Sequence, residues 1–147
     1  AKLADFGAGW GYLSRHILNC DGVKRLTLVE AEATALDCAR ANIDDPRAVF
    51  TWADVTSFTA KPGFDGIIMN PPFHTTRAAD PGLGQAFIAS AARCLAPHGQ
   101  LWMVANRHLP YEATLAEHFG AVEELEGTPA FKILLASKPL RVGKRSS

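Results

Sequence analysis

Cysteine is scarce in this chain: Cys20, Cys38 and Cys94 are the only three in 147 residues, and none stands in a C-x-x-C pair. That spacing argues against a structural zinc site and against a disulfide framework, and it suits a reducing cytoplasm. Neither sign of charge is in excess, with 15 Lys plus Arg against 15 Asp plus Glu, so net charge demands no polyanionic partner. No apolar run approaches the roughly 18 residues of a membrane helix, and the chain reads as soluble with no membrane partner. A leader peptide and an initiator methionine are also lacking. Ala1 and Lys2 run straight into an apolar stretch, which reads as a fragment of a longer protein. His16, His98 and His118 are isolated, with no i, i+4 pair on one face, so surface or capping roles are expected and no metal. There is no internal repeat and no low-complexity linker.

What is present is an ordinary globular composition, 48% hydrophobic and 20% charged. A chain of this length suits one domain that buries roughly 70% of the surface its unfolded form exposes. Short apolar runs alternate with longer segments of helical spacing, the pattern of βαβ units and hence of an α/β fold. Strands are expected at Lys2 to Phe6, Arg25 to Glu30, Ala48 to Ala53, Phe64 to Asn70 and Gln100 to Ala105. Helices are expected at Trp10 to Cys20, Glu32 to Ile43, Gly84 to Leu95, stopped by Pro97, and Tyr111 to Phe119. Beyond Gly120 two strand-like stretches, Ala121 to Glu126 and Ala130 to Ser137, are joined by a link short enough to favour an antiparallel pair. The domain is drawn as residues 1–138, and residues 139–147 form a basic, solvated tail. Trp10, Trp52 and Trp102 are expected in the core or in pocket walls.

Chemistry concentrates at the ends of the strands. "DFGAGWGYLS", residues 5–14, sets Gly7, Gly9 and Gly11 at a strand-to-helix turn, where bare backbone admits a ligand near a helix N-terminus. The dinucleotide fingerprint needs a glycine where Tyr12 stands, and Asp5 places a carboxylate where phosphates would come nearest, so a cationic, nucleoside-sized ligand suits the turn better than a pyrophosphate. Glu30 ends the second strand, where an acid can accept from both hydroxyls of a ribose, and Asp54 follows the third. Asn70 opens "NPPFH", residues 70–74, in which two prolines break an apolar run. In an open parallel sheet these four strand-end residues converge on one crevice.

"DFGAGWGYLS", Glu30, the pair Ala53 and Asp54, and "NPPF" together resemble the class I S-adenosylmethionine-dependent methyltransferases over nearly the whole chain. "NPPFH", "LGQAFI", "MVANRHLPY" and "FKILLASK" resemble more narrowly the bacterial small-subunit ribosomal RNA methyltransferases of the RsmC type, which act on guanine N2. The resemblance implies a Rossmann-like fold with a seven-stranded, mostly parallel sheet, helices on both faces and the last strand antiparallel. It implies S-adenosylmethionine as cofactor, with Gly7 to Gly11 against its methionine portion, Glu30 on the ribose and Asp54 on the adenine amine. Asp5, Ala8, Ala31, Val55 and Asn70 fall in the same cofactor-binding set. Ribosomal RNA or the small ribosomal subunit is the implied partner, and a further N-terminal domain, missing from this chain, is implied as well.

On that reading the double proline has a chemical purpose. An exocyclic amine is a poor nucleophile because its lone pair is delocalised into the ring. If the Asn70 side chain and the Pro71 carbonyl accept its two hydrogens, the nitrogen can pyramidalise and aim at the cofactor methyl. Pro71 and Pro72 remove two donors and stiffen the loop. Phe73 offers a face on which an extruded base stacks, and His74 borders that pocket. Asn70, Pro71 and Phe73 are therefore the expected catalytic residues, and Pro72, Phe73, His74 and Arg107 the expected substrate contacts, with Arg77 on a loop over the site. An in-line displacement needs no covalent nucleophile, in keeping with the lack of a Ser-His-Asp set. The alternatives are an adenine N6 or protein glutamine acceptor for the same loop, a non-catalytic cofactor-binding domain, and, for the glycine turn, a nicotinamide cofactor.

Overall fold

The computed structural model describes residues 1–9, 11–61, 63–70, 81–106, 110–125 and 127–140. The elements run β1 (Lys2–Phe6), α1 (Tyr12–Ile17), β2 (Arg25–Glu30), α2 (Ala33–Asn42), β3 (Ala48–Trp52), a 3₁₀ turn (Val55–Ser57), β4 (Phe64–Met69), α3 (Pro81–Cys94), β5 (Leu95–Asn106), α4 (Glu112–His118), β6 (Phe119–Leu125) and β7 (Phe131–Pro139). They form a seven-stranded sheet in the order β3-β2-β1-β4-β5-β7-β6. The strands from β3 across to β5 are parallel, and β7 lies antiparallel between β5 and β6. The expected antiparallel end of the sheet is thus realised.

Alternation along each strand divides the core between the two faces of the sheet. In β2, Leu26 and Leu28 join Leu18, Val23, Ala39 and Ile43 on one side, while Val29 faces the other with Phe6, Met69, Phe87, Ile88 and Leu115. Each fully buried Leu or Phe contributes about 1.5–3 kcal/mol relative to exposure, so a slip of one residue in β2 would exchange the two cores and cost several such terms. Strand order reverses between β1 and β4, because β2 and β3 continue outward on one side and β4 starts on the other. Beyond the carboxyl ends of those two strands a crevice opens among the described residues.

Several boundaries differ from the sequence reading: α3 starts at Pro81 rather than Gly84, β7 runs on to Pro139 rather than Ser137, and three other elements differ for a visible cause. α1 starts at Tyr12 rather than Trp10 because Gly9 and Gly11 both have positive φ, and it stops at Ile17 rather than Cys20. Arg47 lies just beyond it, donating to the Leu18 and Val23 carbonyls, the latter at 3.0 Å. β5 begins at Leu95, directly after α3, not at Gln100. Its pairing with β4 steps from Phe64↔Leu95 to Gly66↔Gln100, so three extra residues bulge outward around Pro97. β6 begins at Phe119, two residues early, because Phe119 pairs with Pro139 of β7. Trp52 is neither core nor pocket wall: on the outermost strand, β3, it is 69% exposed, with its indole N–H donated to the Ala31 carbonyl at 2.8 Å. No helix among the described residues is long and apolar enough to cross a membrane.

Candidate functional site

The carboxyl end of β1 sets the first functional side chain. Asp5 is 1% exposed, between Leu28 of β2 and Ile68 of β4 in the ladder. The Ser14 hydroxyl, one turn into α1, donates to its Oδ2 at 2.7 Å, whereas Oδ1 is buried and has no hydrogen-bond partner among the described residues. Burial pushes the carboxyl up to about 6 from 3.8; the Ser14 hydrogen bond opposes this and the nearby Glu30 charge adds to it. A buried, unsatisfied acceptor costs about 1–3 kcal/mol, which a cationic or N–H-bearing ligand at that oxygen would recover.

A pKa raised in the native state means that the folded chain holds this proton more tightly than the unfolded one. The associated stability is complete below about pH 3.8 and is lost as pH rises through about 6. Asp5→Asn, neutral at every pH and still an acceptor for Ser14, should therefore stabilise the ligand-free chain at pH 7 by up to about 3 kcal/mol. That advantage should shrink towards zero by pH 4. Urea titrations of both proteins across this range measure the gap, and a gap independent of pH would remove the charge from the explanation.

The glycine turn leaves β1 with φ of +73° at Gly7, +58° at Gly9 and +93° at Gly11. The Gly7 and Ala8 amides both donate to the Val29 carbonyl, which ties the turn to β2. The three glycines do different work. A Cβ on Gly7 would come 3.0 Å from the Phe87 ring; one on Gly9 would meet nothing within 4 Å; one on Gly11 would come 2.8 Å from Ile43. Gly9 is thus the open position, while Gly11 serves the packing of α1 on α2.

Glu30, at the end of β2, is held by two backbone donors: Gly9 N–H to Oε1 at 2.7 Å and Glu32 N–H to Oε2 at 3.0 Å. These bonds fix the carboxylate beside the glycine turn and leave each oxygen further acceptor capacity. Asp54 caps the 3₁₀ turn, its Oδ1 accepting from Thr56 N at 2.9 Å and Thr56 Oγ1 at 2.7 Å. Those bonds, the side-chain one first, hold its carboxyl below the usual range. The turn is in turn tied to α3, since Ser90 Oγ donates to the Val55 carbonyl at 2.5 Å and Arg93 to that of Thr56 at 3.0 Å.

Two adjoining cavities result. One, of about 500 Å³, lies between Glu30, Ala31, Asp54 and Val55 on one side and Leu83 and Phe87 of α3 on the other. The second, of about 430 Å³, is bounded by Asp5, Ala8, Leu13, Val104 and Phe131. Gly7, Gly9 and Asn70 line both, so Asn70 stands at the junction. Of the expected cofactor set, Asp5, Gly7, Ala8, Gly9, Glu30, Ala31, Asp54, Val55 and Asn70 come together here, and Gly11 lies apart. Pro71, Pro72, Phe73, His74, Arg77 and Arg107 lie outside the described residues, as does Trp10. The described lining includes the acids Asp5, Glu30, Glu32 and Asp54 and no basic side chain. It suits a cation with hydroxyl and amine donors and opposes a pyrophosphate. The orphaned Asp5 oxygen and the open Gly9 fit the expected sulfonium cofactor, whose ammonium, ribose and adenine amine supply such donors.

Sequence reasoning missed Phe131, Val104, Leu83 and Phe87. Phe87 was visible only as one apolar position in a helical stripe. Phe131 is 46% exposed at the start of β7, with its backbone pinned to Thr128 and its neighbour, the buried Lys132, held to Glu112 of α4 at 2.7 Å. The register Asn106↔Phe131 carries it to the crevice, a placement that only the pairing of distant strands decides. Among the described residues no group of three or more potential ligands is placed to hold a metal.

Comparison with known proteins agrees with this fold. The family model of the methyltransferase small domain matches residues 1–135. The chain is 34% identical over 135 residues to ribosomal RNA small subunit methyltransferase C of Shewanella pealeana, covering 90% of this chain and 39% of that protein. It is equally 34% identical over 141 residues to ribosomal RNA large subunit methyltransferase G of Pseudomonas paraeruginosa, covering 93% of this chain and 38% of that one. Among solved structures, the RsmC 16S rRNA N2 methyltransferase of T. thermophilus in complex with AdoMet and guanosine superposes with a TM-score of 0.76 at 32% identity, over 92% of this chain and 37% of that one. The chain thus spans under two-fifths of the length of each of these relatives.

Proposed function

Since this chain belongs to the methyltransferase small-domain family and is of the RsmC-like class I type, with S-adenosylmethionine as its cofactor, we propose that it is the catalytic part of a ribosomal RNA methyltransferase that modifies the exocyclic N2 amine of a guanine in 16S RNA. The observation that carries this reading is the position of Asn70, at the junction of a nucleoside-sized cavity and a second cavity walled by an exposed aromatic ring. The similarity to a solved 16S rRNA N2 methyltransferase supports the choice of acceptor.

When bound, S-adenosylmethionine supplies an electrophilic methyl group on a positively charged sulfur. The chain's residues bind and orient. Glu30 accepts from the ribose hydroxyls, Asp54 from the adenine amine, and Phe87 and Leu83 form the apolar wall of that cavity. Asp5 offers its unsatisfied oxygen at the other end, near the glycine turn. Asn70 accepts one hydrogen of the guanine amine through its side-chain oxygen, and the Pro71 carbonyl the other, so that the nitrogen lone pair is localised. That nitrogen would take the methyl group from the bound cofactor, which leaves as the neutral thioether, and the amine proton would pass to solvent. Phe73 and His74 border the base, with Pro72 stiffening their loop and Arg107 on a phosphate. Phe131 provides a second apolar face, a role worth about 1–3 kcal/mol per stacked base in comparable sites.

Transfer of a tritiated methyl group tests the proposal. The protein should label 16S RNA or small ribosomal subunits, and digestion to nucleosides should return the label as N2-methylguanosine. Label in large-subunit RNA instead would keep the chemistry and change the target. Label in N6-methyladenosine or in a glutamine peptide would overturn the guanine assignment.

A further inference from the structure

The crevice poses an electrostatic problem for an RNA enzyme. Its described lining carries four carboxylates and no cation, so it repels the phosphate backbone whose base it is to receive. RNA affinity comes chiefly from phosphates neutralised by Lys and Arg. Among the described residues, the cations that could neutralise phosphates lie outside the crevice.

A third cavity, of about 550 Å³, lies at the opposite end of the sheet, where β1, β4 and β5 begin. Lys2, Lys61, Arg93 and His98 line it, with Asp65 as the one acid among its described residues. Asp65 is already engaged on both oxygens: the Lys2 backbone N–H donates to Oδ2 at 2.8 Å, and His98 Nε2 lies 2.7 Å from Oδ1. Both of its oxygens thus have a hydrogen-bond partner before any ligand arrives. Arg93 is held in place by the bond from one terminal nitrogen to the Thr56 carbonyl, which leaves the rest of its planar donor fork for a second acceptor. The Lys2 ammonium sits 5.0 Å over the Phe64 ring. One wall is the outward bulge of β5 between Leu95 and Gln100, and it closes so tightly on Gly63 that a Cβ there would come 2.5 Å from the Ala96 nitrogen. Bulges of this kind re-aim side chains, and this one brings His98 to the cavity rim.

We propose that this cavity docks a phosphate of the RNA backbone while the target base occupies the crevice at the other end of the sheet. β1 spans five residues, about 17 Å. One strand of a nucleic-acid helix covers that distance in roughly five phosphates, so a short helical segment beside the target nucleotide reaches both places. The proposal rests on the RNA reading of the acceptor, and its test separates the two.

The probe is a fluorescein-labelled RNA duplex titrated with the protein at several salt concentrations, comparing the parent with Lys61→Glu and Lys61→Arg. Lys61 is exposed and lies outside the crevice, so S-adenosylmethionine affinity should be the same in all three. Lys61→Glu should weaken RNA binding several-fold and lower the slope of log affinity against log salt by about 1 or more. Lys61→Arg should restore both. A slope unchanged by Lys61→Glu, or a parent that binds no RNA, would overturn the docking site. If inorganic phosphate at constant ionic strength raises the melting temperature of the parent but Lys61→Glu leaves the RNA slope intact, the cavity is a free-anion site and the proposal falls. Methyl transfer to guanine N2 with an unaltered salt slope would leave the enzyme standing without this contact.

Discussion

Asn70→Ala should bind S-adenosylmethionine nearly as tightly as the parent and turn over about 100-fold or more slowly, the usual cost of deleting one fixed hydrogen bond made in the transition state. The reason lies in what Asn70 does and does not hold. It is exposed, one residue beyond Met69, the last residue of β4, and no hydrogen bond among the described residues depends on it. On the proposed reading the cofactor is held instead by Glu30, Asp54 and the glycine turn, whose own hydrogen bonds do not involve Asn70. What is lost is the side-chain acceptor at the junction of the two cavities, where the proposed mechanism aligns the amine of the acceptor base. Calorimetry for the cofactor and a tritium-transfer assay for turnover separate these quantities. Equal turnover in parent and variant would strike Asn70 from the mechanism; an equal loss in affinity and in turnover would make it a cofactor residue only.

Gly7→Ala should act on the fold and the site together. The backbone at Gly7 has φ of +73°, a region that costs an L-residue about 1–2 kcal/mol. The new methyl would also stand 3.0 Å from Cε2 of Phe87 and 3.5 Å from Cζ. That ring is both part of the core under α3 and a wall of the nucleoside cavity. Relief requires a shift of the Phe87 ring, which lines that cavity. The expected result is a stability loss of about 2–3 kcal/mol, the strain plus a crowded core position, and cofactor affinity reduced more than tenfold. Gly9→Ala is the contrast. Its φ of +58° carries similar strain, but nothing lies within 4 Å of the added atom, so it should lose less stability and still lose affinity because the methyl fills the open position. Thermal melts with and without S-adenosylmethionine measure both. If the two variants behaved alike in the absence of cofactor, contact with Phe87 would play no part.

Much of the site was legible because strand ends are legible. β1 and β2 fall where their apolar runs place them, and the acids near their ends, Asp5 and Glu30, are carried to the same edge by parallel pairing. Asp54 and Asn70 follow by the same rule on β3 and β4. A largely apolar stretch with a polar side chain at or near its end states both the strand and the place where its chemistry begins. The register shift in β5 was not legible, since the residues of "APHG" that read as a helix stop form a bulge enclosed in the strand by the pairing of Leu95 and Gln100 with β4. Nor was the exposure of Trp52, because nothing local shows that β3 ends the sheet.

By itself the sequence determined the alternation of strands and helices, the glycine turn that cannot accept side chains, and the order of acids at the strand ends, all of which depend on residues close together along the chain. Only the tertiary structure decided which glycine faces the cavity, that Phe87 and Phe131 wall it, and that three cations and a histidine gather at the far pole. Those relations join residues distant in sequence, through strand order and helix packing, and periodicity along a chain carries no record of which faces will meet.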